Sequence, residues 1–116
     1  MNVWIEAKDF SVFIYKMTQS FPKSEQYGIT SQLNRATVSI PSNIAEGAGR
    51  SSTKEFSRFI TIAIGSAYEV ETQLIIALEI GVLSKEDFEK SNSKIIKIQK
   101  MLFNFNRHLK NKISST

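Results

Sequence analysis

One histidine, His108, and no cysteine limit the nucleophilic and metal chemistry open to this 116-residue chain. A Ser-His-Asp triad would need His108 as its base, in a basic segment with no acid nearby to orient the ring. A ferritin-like di-iron centre needs a Glu three residues before a His, and that position is Phe105. A helical ribonuclease would want Arg and His spaced along one face, whereas Arg107 and His108 are adjacent. Without cysteine there are no disulfides and no thiolate zinc sites, which fits a reducing cytosol. The run Ala45-Glu46-Gly47-Ala48-Gly49-Arg50-Ser51-Ser52 is glycine-rich and opens a helix, as a phosphate loop does. It lacks the Lys-Ser/Thr ending and follows a helix instead of a strand. The expectation is a tight turn whose glycines supply positive φ. No catalytic, cofactor-binding or metal-ligating set emerges, and the chain reads as a non-enzymatic protein without a cofactor.

Charge is the chemistry that remains. Residues 1–89 carry 8 basic and 11 acidic side chains, whereas residues 90–116 carry 7 basic and none acidic. The formal net charge of +4 therefore comes from one terminal segment. Along it, Ile96, Lys100, Phe103, Arg107 and Lys110 recur at helical spacing, with Lys90, Lys94, Lys97, His108 and Lys112 on another flank. Cations interleaved with an aromatic ring suit nucleic acid, the cations meeting phosphates and the ring a base. The plainer reading of the same pattern is a solvated lysine face. No helix-turn-helix spacing, ribonucleoprotein aromatic motif or zinc module accompanies it.

Four amphipathic helices must position these residues. The first, about 3–20, places Val3, Ala7, Phe10, Ile14, Met17 and Phe21 on one stripe and ends at Phe21-Pro22. The second, about 30–46, carries Leu33, Ala36, Ile40 and Ile44, with Pro41 inside it and Gly47 and Gly49 as its stop. Ser52-Thr53-Lys54-Glu55 forms a capping box for the third, about 52–81, with Phe56, Ile60, Ala63, Ala67, Val70, Leu74 and Ala77 as its stripe and Gly81 at its end. Ser84 caps the fourth, about 84–112, whose stripe is Phe88, Ile95, Ile98, Leu102, Phe105 and Leu109. Short connections between such helices predict an all-α, antiparallel up-and-down four-helix bundle, a single domain over residues 1–116. Uncharged stretches reach about ten residues, half a bilayer span, so neither a membrane span nor a signal peptide is expected.

The third helix has a second line. Arg58, Ile62, Gly65, Glu69, Thr72, Ile76 and Ile80 follow steps of three and four on the side opposite the core stripe. Either this helix is central and flanked on three sides, or Arg58, Ile62, Gly65, Glu69, Ile76 and Ile80 form a self-association surface. On the second helix, Gln32, Arg35, Ser39, Asn43 and Glu46 make a polar line whose candidate partners are Arg50, Arg58 and Glu69.

The run from Phe21-Pro22 through Tyr27-Gly28-Ile29-Thr30-Ser31-Gln32-Leu33 and Arg35-Ala36 leads to Ser39-Ile40-Pro41 and Asn43-Ile44-Ala45-Glu46-Gly47. With Arg50, Glu55-Phe56, Phe59, Gly65-Ser66, Glu69 and Glu71, it resembles the bacterial four helix bundle protein family, also called the 23S rRNA intervening-sequence protein family. The resemblance implies an up-and-down bundle assembled as a homopentameric ring. It also implies kinship with the accessory protein of diversity-generating retroelements, a basic bundle that binds nucleic acid and its reverse transcriptase. Asn34 stands where the family often has a second basic residue beside Arg35.

The expected protein is therefore a cytoplasmic homo-oligomeric bundle. RNA or DNA would bind through Lys94, Lys97, Lys100, Phe103, Arg107 and Lys110, with Arg35 and Arg50 as further cations. The alternative is a protein-interaction scaffold that does not bind nucleic acid.

Overall fold

Apolar residues at steps of three and four end up on the inside of four helices. The computed structural model describes residues 2–115. Its helices are α1 (Asn2–Thr18), α2 (Ile29–Ala48), α3 (Thr53–Glu79) and α4 (Lys85–Ser114), with one 3-10 turn at Lys23–Glu25. α1 and α3 each pack against both α2 and α4, so α1/α3 and α2/α4 stand on the two diagonals. This is the expected up-and-down bundle, 51 × 22 × 19 Å. Val3, Ala7, Phe10, Ile14, Leu33, Ile40, Ile44, Ile60, Ala67, Leu74, Ile95 and Leu102 are buried at its centre, while Phe56, Phe88 and Phe105 pack half-buried around them.

The helix ends follow local chemistry. Ser52 Oγ accepts the Glu55 N–H and Ser84 Oγ the Asp87 N–H, both at 3.1 Å, so each hydroxyl meets a donor that the first turn leaves orphaned. α3 ends in a Schellman motif: Val82 N donates to Ala77 O and Gly81 N to Leu78 O, both at 3.1 Å, with Gly81 at φ +85°. α1 stops at Thr18, two residues short of the sequence expectation. There Thr18 Oγ1 donates to Tyr15 O at 3.0 Å and Ser20 Oγ to Met17 O at 2.9 Å, and the chain turns away.

The 45–52 segment differs from its expected form. Gly81 is the positive-φ residue among those described, so neither Gly47 nor Gly49 serves a left-handed turn. Gly47 is still helical, and α2 runs two residues beyond the expected stop. Its role is close approach. A Cβ at this position would lie 2.8 Å from Phe59 Cβ and 2.9 Å from Phe56 Cδ1, so α2 and α3 could not cross where they do with any larger residue. Phe56 meets Phe105 of α4 edge to face at 5.3 Å between centroids, extending the contact to a third helix.

Polar groups inside the bundle fix its register. Pro41, buried in α2, cannot donate to Thr37 O, and Ser11 Oγ of α1 reaches that carbonyl at 3.4 Å while also bonding Ala7 O at 3.0 Å. Ser57 Oγ donates to Asn106 Oδ1 at 2.7 Å, and Asn106 Nδ2 donates to Thr61 Oγ1 at 3.3 Å, which pins α3 to α4. Ser39 and Ser66 share a hydroxyl hydrogen bond between α2 and α3. Asn34 Nδ2 donates to Thr18 Oγ1 at 3.0 Å, tying the start of α2 to the end of α1.

By length and composition α3 passes the threshold for a membrane-crossing helix, and 39% of its most apolar window is buried within the bundle. Its apolar residues are shared between a core side and an outer side. Replacing Gly47 should test the close approach. Gly47→Ala should lower the unfolding free energy by ~1–3 kcal/mol through overpacking, read in denaturant at fixed protein concentration. Gly49→Ala, whose Cβ would find its nearest neighbour at 3.6 Å, should be tolerated.

Candidate interaction faces

The outer line of α3 lies open. Arg58, Ile62, Gly65, Glu69, Ile76 and Ile80 are all exposed. α3 has two helical neighbours, not three, and the central-helix reading does not hold. A Cβ on Gly65 would meet nothing within 4 Å, so the residue leaves a notch in this face. Tyr68 and Ile75 are also exposed and widen the apolar area beyond the line read from spacing. Arg58 lies 5.1 Å from the Phe59 ring, at the N-terminal end of the face.

The basic residues of α4 divide into two groups. Lys94 and Lys97 turn towards α1: Lys94 Nζ lies 5.0 Å over the Phe13 ring, and Lys97 Nζ pairs with Glu6 Oε1 at 3.1 Å. Lys100, Phe103, Arg107 and Lys110 point away from the bundle. Arg107 donates to Asn104 Oδ1 at 3.4 Å, and among the described residues Lys100, Arg107 and Lys110 form no ion pair. Between α3 and α4, Tyr68, Ile96, Gln99, Lys100, Phe103 and Asn104 line an open groove of about 370 Å³. Gln99 Nε2 is held there by Glu71 Oε1 at 2.9 Å.

The two arginines outside α4 are elsewhere. Arg50 pairs with Glu46 at 3.1 Å and lies 4.9 Å from the Phe59 ring, which makes it a clamp across the α2–α3 turn. Arg35 lines an α2/α3 groove of about 530 Å³ with Tyr27, Gln32, Ser39 and Glu69. Because α2 and α4 are diagonal, Arg35 and the outer line of α4 do not share a face. Of the partners expected for the polar line on α2, Arg50 bonds Glu46, whereas among the described residues Arg58 and Glu69 do not bond the line; Ser39 bonds Ser66 instead, and Asn43 Nδ2 donates to Ser39 O at 2.7 Å.

A further face was not singled out by the sequence reading. Trp4, Ile5, Val12 and Tyr15 are exposed on α1, Tyr15 to 61%. Trp4, Lys8, Val12 and Tyr15 recur in steps of four, four and three, a signal available in the sequence beside the stronger core stripe. His108 is exposed, and among the described residues no group of three or more His, Cys, Asp or Glu could hold a metal ion.

Comparison with known proteins places this arrangement. A crystal structure of a protein of unknown function from the S23 ribosomal protein family of Bacteroides thetaiotaomicron VPI-5482 is similar, with TM-score 0.81 and 25% identity. The similarity covers 90% of this chain and 97% of that one. No curated protein matches. Residues 1–104 match the family described as 23S rRNA-intervening sequence protein, and the chain belongs to that family.

Proposed function

We propose that the chain is a non-enzymatic, cytoplasmic bundle that works as a homo-oligomer, its copies joined through the outer face of α3. The observation that carries this is the exposure of Ile62, Ile75, Ile76 and Ile80, each between 40% and 54%, on a helix whose other side is buried core. Scattered apolar residues on a surface need no explanation, but isoleucines that recur on one side of a helix, Ile62, Ile76 and Ile80 with Ile75 beside them, favour a partner. The small and polar residues among them, Gly65, Glu69 and Thr72, suit an interface that forms after folding. A ring of five is the assembly that the family resemblance implies.

A second activity of the same bundle is the binding of RNA or DNA along α4. Lys100, Arg107 and Lys110, without an ion pair among the described residues and outward beside exposed Phe103, favour it. Lys94 and Lys97 contribute less because α1 already occupies them. Arg50 is engaged at the α2–α3 turn, and Arg35 is on another side of the bundle.

Ile62→Asp combined with Ile76→Asp should give a folded, soluble single chain by light scattering; an intact oligomer would place the interface elsewhere. For nucleic acid, retardation of a labelled RNA or DNA at low salt is expected. If Lys100, Arg107 and Lys110 meet three phosphates, affinity should fall ~40-fold between 50 and 200 mM salt. Changing those three residues to Ala should remove most of that salt dependence, whereas Lys94→Ala with Lys97→Ala should remove little. Absence of retardation at low salt would leave a protein-interaction scaffold.

A further inference from the structure

The outer face of α3 has a counterpart on the same molecule. α1 and α3 stand on a diagonal, so their outward sides point away from one another, and both carry exposed apolar residues. On α1 these are Trp4, Ile5, Val12 and Tyr15; on α3 they include Ile62, Tyr68, Ile75 and Ile76. No single chain can cover one with the other. From this arrangement we infer that the α1 face of one copy docks onto the α3 face of the next, head to tail. The inference rests on the self-association proposed above and assigns its two surfaces.

Height along the bundle supports the pairing. Ser11 Oγ of α1 reaches Thr37 O of α2, and Ser39 of α2 meets Ser66 of α3. Since α2 runs against α3, Thr37 stands level with about residue 68, and so does Ser11. α1 and α3 run in the same direction. Lys8 is then level with Gly65, Val12 with Glu69 and Lys16 with Gln73, each to within about one turn. In a ring whose axis runs along the bundles, neighbouring copies meet at equal height, because rotation shifts nothing along its axis.

At that height the two faces complement each other in charge. Trp4, 38% exposed, comes to the level of Ile62, one turn below the notch at Gly65. Glu69 falls between the heights of Lys8 and Lys16 of the next copy. In its own chain Glu69 accepts from Gln73 Nε2 at 3.3 Å, while Lys8 pairs with Asp9 at 2.9 Å and stands 6.0 Å over Trp4. Lys16 is exposed and forms no ion pair among the described residues. A head-to-tail contact uses two different surfaces, so it repeats from copy to copy, and it closes as a ring when the rotation between neighbours divides a full turn.

Two variants that each spoil one face provide the test. Trp4→Asp with Val12→Asp removes the α1 face, and Ile62→Asp with Ile76→Asp removes the α3 face. Far-UV circular dichroism and a cooperative melt confirm that each is folded. By sedimentation velocity, each alone should be a single chain, and an equimolar mixture should form a dimer of twice the chain mass, with one intact face from each partner. A charge exchange tests the same contact without touching apolar residues. Glu69→Lys should weaken wild-type association about tenfold or more, and adding Lys8→Glu with Lys16→Glu in the same chain should recover it. An α1 variant that keeps the wild-type assembly, or dimerises by itself, overturns the head-to-tail assignment while leaving self-association through α3 standing. A wild-type chain that never associates overturns both.

Discussion

A helix at the corner of a four-helix bundle has two neighbours and one side turned outward, and α3 carries isoleucines on that outward side as well as within. The geometry of the bundle decides this. α2 and α4 cover the flanks of α3, α1 stands across the core, and among the described residues no element reaches the fourth direction. Ile62, Ile76 and Ile80 cannot be buried by any rearrangement that keeps Ile60, Ala67 and Leu74 inside, because the two stripes lie on opposite sides of one rigid rod. The apolar content of α3 is therefore divided between two sides, one facing the core and one facing outward.

The crossing of α2 and α3 holds this rod in place. Gly47 lets the helices meet without a Cβ between them, Phe56 and Phe59 fill the space at the contact, and Arg50 spans the turn from Glu46 to the Phe59 ring. The sequence run from Asn43 to Phe59 makes sense as one packing unit. Gly47, the aromatics Phe56 and Phe59, and Arg50 each answer the requirement that two long helices come close just before a four-residue turn. Farther along, Ser39 with Ser66 and Asn106 with Ser57 and Thr61 add hydrogen bonds that hold in a single register. Apolar stripes alone tolerate sliding by a turn; these pairs do not.

Most of the fold was legible in the sequence because it depends on period and caps. Ser52, Ser84 and Gly81 mark helix ends by local chemistry, and each acts where its type and position say. The role of Gly47 was not legible, since a glycine near a helix end reads equally as a stop or as room for a neighbour, and only the position of Phe59 decides between them. The basic character of α4 was plain from composition, but its division was not. Lys94 and Lys97 differ from Lys100 and Lys110 only in facing Phe13 and Glu6, which lie 81 and 91 residues away in sequence. The α1 face around Trp4 and Tyr15 was overshadowed by the regular stripe on the opposite side of the same helix.

The mass of the wild-type chain in solution is the most direct measure of whether the outer side of α3 is covered. Multi-angle light scattering across a hundredfold dilution should give a stable multiple of 13.1 kDa, falling only at the lowest concentrations. A mass of 13.1 kDa at every concentration, with no loss of solubility, would contradict the account.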